Sequence, residues 1–436
     1  MPQPVLSCLI IMKTVRFYTL GCKVNQYDTQ KIREQFQNAG FRELDKGRPA
    51  DVYVVNTCTV TGRADSDSLN YIRRAKRENP DALLVVTGCL AELDSKKIKQ
   101  IKGVDLIVKN DKKDNIIGLI QGQPPPVTVP VSGISSFKGH TRAFLKVQDG
   151  CNNFCSYCKV PLVRGRSRSK VAAEVVREAE ALVNNGFKEI VLTGICLGAY
   201  GRDLEPKSDL TKLLAALEGV HGLLRIRLSS IEAGDITNGL LKLMASSKKV
   251  CRHLHIPLQS GDDTILKRMN RKYSREGYLS LVRKIKKEIP DVSVSIDVLV
   301  GFPGEDNRMF LNTAQLIKRI APLKVHIFPY SERKGTKAAG LPQKLDPRVI
   351  RQRIEMLKLI SEECSLRFKN KFFNKKMRVL VEGRVKGNHF LWEGYTDNYL
   401  PVNLCSKRQL QNQMVLAKCT GINQNYNLNS VIIDNK

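Results

Sequence analysis

The 436-residue chain has no apolar run approaching the ~18 residues needed to span a bilayer, which excludes a transmembrane helix. It also lacks a secretory signal. The opening MPQPVLSCLII has no positive n-region, and only Val5, Leu6 and Ser7 stand between Pro4 and Cys8. Residues 1–12 therefore read as a disordered leader, with Met12 as an alternative start. Low-complexity tracts are absent, and 42% hydrophobic with 26% charged residues describes a globular chain. At ~150 residues per domain, about three domains are expected. Acidic residues are in deficit: 42 Asp+Glu against 72 Lys+Arg leave a net charge of +30. Such an excess calls for a polyanionic partner, most simply nucleic acid. An anionic membrane surface would call for an amphipathic basic helix with an aromatic face, and none stands out.

Cysteine is plentiful. The 12 cysteines are scattered apart from one tight cluster, which in a large chain without a signal reads as a cytoplasmic metalloprotein, not a disulfide scaffold. The first region, 13–120, alternates strands at 15–20, 51–57, 82–88 and 104–109 with helices, the pattern of a parallel sheet. Its first three strands each run into a cysteine: Cys22, Cys58 and Cys89. Ligands of parallel sheets sit beyond the carboxyl ends of strands, so one sheet edge should gather the three thiols. Residues 121–136, with four prolines, read as a linker.

From Arg142 the alternation resumes. Strands are expected at 142–148, 188–195, 223–231, 253–259, 293–300 and 324–330. Helices are expected near 171–185, 209–218, 235–246, 274–288, 306–320 and 347–369. Six units make a partial (βα)6 TIM-like barrel over 137–369, since eight close a standard one. A barrel's active face is its C-terminal mouth, which makes Gly194, Glu232, Gln259 and Ser260 candidate contacts for a bound cofactor; Asp297, inside the barrel, joins them. The last segment, 370–436, has short β runs at 377–382, 390–395, 399–404 and 412–418, expected to form a small β-barrel. Its Trp392, Tyr395 and Tyr399 lie among basic residues and are candidate RNA-stacking groups. Arg164, Arg166, Arg168 and Lys170 alternate just after the cysteine cluster and are candidate phosphate contacts. The fold class is thus α/β, with a small C-terminal β-barrel.

The cluster itself reads DGCNNFCSYC. Cys151, Cys155 and Cys158, spaced C-x3-C-x2-C, can hold three corners of a cubane iron–sulfur cluster and leave one iron open. Zinc is the alternative, but a structural zinc site closes four ligands, and the nearest candidate, His140, lies upstream of the strand. The Cys22, Cys58 and Cys89 set likewise has no obvious fourth ligand. Cys196 reads as a buried small residue.

This loop at the head of a six-unit barrel resembles the radical S-adenosylmethionine enzymes. The stretches TLGCKVNQYDTQ, VVNTCTVTGRAD, VVTGCLAE, RIRLSSIE, HLHIPLQSGDDTILKRMNR and IDVLVGFPGE narrow the resemblance to the methylthiotransferases, and GYTDNY in the tail resembles the TRAM RNA-binding domain. GCKVNQYDTQ, CNNFCSYC and RGRSRS look most like the branch that acts on N6-threonylcarbamoyladenosine of tRNA. The resemblance implies two [4Fe-4S] clusters. Cys151, Cys155 and Cys158 would hold the one that cleaves S-adenosylmethionine, and Cys22, Cys58 and Cys89 the auxiliary one that delivers sulfur. It implies a methylthio group placed on carbon 2 of the base next to the anticodon. The implied partners are a tRNA anticodon stem-loop, an electron donor such as flavodoxin or ferredoxin, and a sulfur source. The competing readings are methylthiolation of a ribosomal protein side chain, a radical RNA methylase, and a non-catalytic zinc-containing RNA-binding protein.

Overall fold

A computed structural model describes residues 14–45, 47–122 and 133–433. The expected leader, with Cys8, lies outside the described residues, as do 123–132 of the expected linker. Within 133–136 the linker expectation fails. Ile134 is buried, and the backbone N–H groups of Ser135 and Ser136 each donate to the Glu34 carboxylate at 3.0 Å. No helix of the described residues is long and apolar enough to cross a membrane.

The chain forms two compact units whose limits cut across the expected segments. One contains the described part of Met1–Lys138 with Asp149–Ser167 and Ser331–Thr336. The other contains Gly139–Gln148, Arg168–Tyr330 and the described part of Lys337–Lys436. The cysteine-rich loop thus belongs with the N-terminal sheet.

In the first unit, β1 (Thr14–Thr19), β2 (Arg42–Glu43), β3 (Val52–Thr57), β4 (Leu83–Gly88) and β5 (Leu106–Val108) pair in the order β2-β1-β3-β4-β5, all parallel. β3 is central and buried along its whole length. Its side chains alternate between faces, as the strand period of two requires. Val52 and Val54 pack with Ile32 and Phe36 of α1 (Lys23–Asn38), whereas Tyr53 and Val55 pack with Leu69 and Ile72 of α2 (Gly62–Glu78). Thr61 starts α2 by accepting the Ala64 N–H at 3.1 Å. The chain leaves β1 toward β2 on one side and continues through β3 to β5 on the other. The reversal puts a switch point between β1 and β3, where parallel sheets open a crevice at their carboxyl ends. The short helices α3 (Cys89–Leu93), α4 (Ser95–Lys99), α5 (Ile116–Ile120) and α6 (Val160–Arg164) complete this unit.

In the second unit six strands run parallel: β6 (Arg142–Asp149), whose last residue belongs to the first unit, β8 (Glu189–Gly194), β9 (Arg225–Leu228), β10 (His253–His255), β11 (Ser293–Val300) and β12 (Lys324–Pro329). The two-residue β7 (Arg168–Ser169) flanks β6. Isolated parallel bridges Ile226–Val250 and Ser230–His255 carry the series from β9 to β10. Between and after these strands come α7 (Ala172–Asn184), α8 (Leu210–Glu218), α9 (Asn238–Ser246), α10 (Asp263–Arg268), α11 (Arg275–Glu288), α12 (Asn307–Ile320) and α13 (Pro347–Asn370). This is the expected six-unit arrangement, with α10 as an added short helix.

The tail is a closed five-stranded barrel in the order β13-β14-β15-β17-β16. Its strands are β13 (Lys376–Arg384), β14 (Leu391–Thr396), β15 (Pro401–Cys405), β16 (Met414–Ile422) and β17 (Leu428–Ile432). The fifth strand escaped the sequence reading. LNSVI is short and polar at two of its five positions, and it acquires strand geometry by pairing with both β15 and β16.

Candidate functional site

The register of the N-terminal sheet brings three strand ends level. Thr19 lies opposite Asn56, and Thr57 opposite Gly88. Cys22 stands at the start of α1, Cys58 follows β3 and Cys89 opens α3. Two glycines allow this convergence. A Cβ on Gly21 (φ +93°) would lie 2.8 Å from the Cys58 Sγ, and one on Gly88 (φ +98°) 2.4 Å from the Thr57 carbonyl oxygen. Only glycine fits either place. Ser68 locks the middle cysteine, its Oγ accepting the Cys58 N–H at 3.1 Å and donating to the Cys58 carbonyl at 3.0 Å. Cys58 and Cys89 are buried and Cys22 is exposed. Burial pushes the Cys58 thiol up to about 11, with Cys89 and Cys22 adding to the rise. The thiolate is the form that ligates a metal, so a bound cation would have to offset this burial.

The second set lies on the loop that follows β6. The Cys151 N–H donates to the Gly165 carbonyl at 3.1 Å, closing the loop at its base. Inside it the Cys158 N–H donates to the Cys155 carbonyl at 3.0 Å. Two backbone N–H groups point at sulfur, Asn153 to Cys151 Sγ and Val160 to Cys158 Sγ, both at 3.4 Å. Backbone donors aimed at sulfur favour thiolates and tune clusters held by them. The three thiols are half-buried, and none of the described cysteines forms a disulfide. Each set offers three thiols, the donor chemistry that an iron–sulfur cluster with three protein ligands requires.

Arg164, six residues after Cys158, departs from its expected place on the RNA. It is 3% exposed and forms ion pairs with Asp28 at 2.9 Å and Asp149 at 3.1 Å. It also donates to Asn25 Oδ1. Asn25 in turn donates to the carbonyls of Leu20 (2.8 Å) and Thr57 (2.9 Å), beside the first cysteine set. Burial works against the charge on Arg164, yet Asp28, Asp149 and the thiols Cys89 and Cys22 hold its guanidinium protonated well above the ordinary value. A buried cation with two carboxylates cannot reach a phosphate, so its role is to tie the cluster loop to the sheet edge. Sequence reading missed Asn25 and Asp28. The signal available was their i, i+3 spacing on the first turns of a helix that follows a strand-end cysteine.

The candidate cofactor contacts all belong to the second unit. At Gly194 a Cβ would come 2.9 Å from Gln148 Oε1, which accepts the Cys196 N–H at 2.7 Å. Cys196 is buried, as expected, with its Sγ 3.9 Å from Asp235 Oδ2. Glu232 pairs with Arg271, and burial nonetheless raises its carboxyl above the ordinary range. Asp297 is 2.8 Å from His255 Nε2, and the His255 ring stacks on His326 with centroids 5.1 Å apart. Gln259 (φ +64°) makes backbone bonds to β11, its N–H donating to the Asp297 carbonyl at 2.7 Å. Ser260 does not fit the expectation. Its side chain is fully buried, and its Oγ accepts the Asp262 N–H at 3.2 Å beside Thr313 Oγ1, which leaves no surface for a ligand. His255, His326 and Arg271 were not among the expected residues, although the alternation in HLH already sets His253 and His255 on one face of β10.

The candidate RNA contacts divide. Arg166 and Arg168 are exposed. Lys170 is half-buried and paired to Glu178 at 2.5 Å, so its charge is committed within the unit. Trp392 is 1% exposed in the core of the tail barrel, its Nε1–H donating to the Ser406 carbonyl at 3.1 Å. Tyr395 and Tyr399 are half-buried. The Arg142 guanidinium lies 5.0 and 5.2 Å from their ring centroids, and Arg227 lies 4.5 Å from that of Tyr399. Arg225 donates to the Tyr395 carbonyl at 2.9 Å; Arg227 donates to those of Thr396 (3.0 Å) and Asp397 (2.9 Å) and pairs with the fully buried Glu189 at 2.6 Å. The GYTDNY stretch therefore fastens the tail to the bottom of the βα barrel, with both tyrosine rings engaged by its arginines.

Comparison with known proteins finds two families. The Uncharacterized protein family UPF0004 matches residues 14–109, and the Radical SAM superfamily matches residues 145–317. Threonylcarbamoyladenosine tRNA methylthiotransferase MtaB of Bacillus subtilis (strain 168) is 40% identical over 433 residues, 95% of this chain and 96% of that protein. The protein of the same name from Aquifex aeolicus (strain VF5) is 38% identical, over 88% and 95%. The tRNA-2-methylthio-N(6)-dimethylallyladenosine synthase of Clostridium tetani (strain Massachusetts / E88) is 34% identical, over 92% of each chain. Among solved structures, the radical S-adenosylmethionine methyltransferase TsrM from Kitasatospora setae, with cobalamin and a [4Fe-4S] cluster bound, matches with a TM-score of 0.55. That match covers 76% of this chain and 74% of TsrM at 14% identity, a likeness of fold alone.

Proposed function

The chain belongs to the radical S-adenosylmethionine tRNA methylthiotransferases, and from that premise we propose that it adds a methylthio group to carbon 2 of N6-threonylcarbamoyladenosine beside the tRNA anticodon. The observation that supports this most is that both three-cysteine sets lie in one compact unit, joined through Arg164 and Asn25. Cys151, Cys155 and Cys158 would hold the cluster that works with S-adenosylmethionine, and Cys22, Cys58 and Cys89 the auxiliary cluster. When bound, such clusters supply the electron that cleaves S-adenosylmethionine and the sulfur that enters the product.

An aromatic C–H bond offers no acidic proton and no leaving group, so side-chain acid–base chemistry cannot open it at neutral pH. The chain's own contribution is positional. Arg164 and its two carboxylates fix the loop of one set against the strand ends that carry the other. The backbone donors of Asn153 and Val160 lower the charge density on sulfur. In the barrel, Gly194, Gln259 and the polar groups Glu232 and Asp297 would face S-adenosylmethionine. The net charge of +30 draws the anticodon stem-loop, and the exposed Arg166 and Arg168 would meet its phosphates. A low-potential electron carrier such as flavodoxin or ferredoxin and a sulfur source complete the requirements.

Mass spectrometry of tRNA nucleosides from a strain lacking this gene tests the reading. The expected result is the loss of 2-methylthio-N6-threonylcarbamoyladenosine and accumulation of its unthiolated precursor. Unchanged tRNA, with a methylthio group missing from a ribosomal protein, would overturn it. Anaerobically prepared protein should be brown with about eight irons; colourless protein with zinc and no iron would return the reading to an RNA-binding module.

A further inference from the structure

One face of the N-terminal sheet carries a row of exposed cations. The helices α2 and α4 cover this face together, Leu69 and Ile72 of α2 packing in one core with Leu90 of α3 and Ile98 of α4. A Cβ on Gly103, in the turn after α4, would lie 2.5 Å from Cε of Lys76 on α2, so the two elements touch. Arg73 and Arg77 stand four apart on one side of α2, and Lys96, Lys99 and Lys102 follow at intervals of three on α4 and the turn beyond. All five are exposed, and among the described residues none of their side chains makes a hydrogen bond or an ion pair. The acids nearby are engaged already. Glu78 is held by Arg16 and Arg74, Asp105 by Lys76 and Glu92 by Lys109, while Asp94 caps α4 through the Lys97 N–H. Asp81, in the turn after α2, is exposed and pairs with no cation among the described residues. The polarity of α2 favours Arg77 in its last turn, but Arg73 stands a turn earlier and Lys102 lies outside any helix. Helix ends therefore do not account for the row. Like charges four apart also destabilise a helix, which a bound polyanion would relieve.

What the face lacks narrows the polyanion. Tyr71 is the one aromatic residue in 62–109, and it is half-buried with its ring centroid 5.0 Å from that of Tyr18. Bases of a single strand are held by stacking on aromatic side chains, whereas a base-paired stem is met at its phosphates. Position points the same way. α2 begins at Gly62, four residues past Cys58, and at ~1.5 Å per residue Arg73 and Arg77 lie about 17 and 23 Å along it. A ligand on this row is thus well removed from the strand ends that carry the cysteines. Resting on the function proposed above for the identity of the RNA, we propose that Arg73 and Arg77 with Lys96, Lys99 and Lys102 bind the phosphates of the anticodon stem, while the loop carries the target base to the cysteines. Such contacts fix the register of the tRNA and read no base.

The test is anaerobic fluorescence anisotropy of the iron-loaded protein over a series of salt concentrations, with an anticodon stem-loop RNA and with its unpaired loop alone. One variant combines Arg73→Gln, Arg77→Gln, Lys99→Gln and Lys102→Gln. A control makes the same change in charge at exposed lysines of the second unit, combining Lys207→Gln, Lys212→Gln, Lys242→Gln and Lys248→Gln. The row variant should bind the stem-loop about tenfold more weakly at low salt, with a log–log salt slope lower by roughly 3, and should bind the loop alone within about twofold of wild type. The control should stay within about twofold of wild type on both RNAs. Iron content and melting temperature establish folding, and Lys99→Gln with Lys102→Gln serves if the fourfold variant does not fold, with a slope lower by roughly 1.5. An unchanged slope in a folded row variant overturns the proposal. So does an equal loss in the control, which would make net charge the cause, and an equal loss on the loop alone, which would make the row a single-strand site. A row variant that binds RNA normally but is no longer reduced by flavodoxin overturns it as well and gives the face to an acidic electron carrier. Wild type that binds the stem-loop through the row yet never thiolates threonylcarbamoyladenosine overturns the proposed function and leaves the stem site standing.

Discussion

Both compact units bury cations, and they treat them differently. In the second unit Arg142, Arg225 and Arg227 surround Glu189, and Arg225 and Arg227 spend their remaining donors on carbonyls of the tail. Those charges are matched from within and serve adhesion between the βα barrel and the small β-barrel. In the first unit Arg164 is matched by Asp28 and Asp149, and Arg333 is matched by Asp65. Thiols that resist ionisation lie near them. The lesson is that similar ionic networks do different work: one clasps the small β-barrel to the βα barrel, and the other holds a cysteine loop at a sheet edge. Variants of the first unit should therefore lose chemistry while keeping the fold, and variants of the second should do the reverse.

The largest effect expected is that of Cys155→Ala, which should abolish S-adenosylmethionine cleavage while the protein melts close to wild type; cleavage measured by 5′-deoxyadenosine release would, if retained, remove the radical-cluster assignment. Cys58→Ala should leave part of that cleavage and stop formation of the methylthio nucleoside. Normal product from it would dissolve the auxiliary site. In the second unit Arg227→Met should cost about 3 kcal/mol, because Glu189 loses its closest partner while staying fully buried. Denaturant unfolding measures this, and a variant as stable as wild type would mean that the clasp is not ionic. Trp392→Ala should cost about 3–5 kcal/mol through the cavity it opens. If it instead weakened RNA binding at unchanged stability, the tryptophan would belong to the RNA after all. The smallest effect is that of Arg166→Ala, which should lower the salt dependence of tRNA binding by roughly 0.7–0.9 in log–log slope for one phosphate contact. An unchanged slope places this arginine off the RNA path.

Much of this was legible in the sequence because local chemistry repeats. Alternating strands and helices located all six barrel strands, since a strand buried on both faces reads as an apolar run between helical periods. The strand-end position of Cys22, Cys58 and Cys89 followed from the parallel sheet, whose carboxyl edge collects whatever comes next. Charged and aromatic side chains were less legible. Arg164, Lys170, Trp392, Tyr395 and Tyr399 have the composition of an RNA surface, and whether they face water or a partner depends on residues tens to hundreds of positions away. Asp28 stands 136 residues from Arg164, and Arg227 stands 172 from Tyr399. The strand β17 was hidden for the same reason, its geometry coming from neighbours and not from its own five residues.

By itself, then, the sequence determined the α/β alternation, the two thiol triplets and the charge that draws a polyanion, because each rests on spacing or counting along the chain. Only the tertiary structure decided that the cysteine loop packs with the N-terminal sheet, that the tail's aromatic motif is a clasp, and which carboxylates match the buried cations. Compensation of a buried charge depends on distances in space, and a linear string does not carry them.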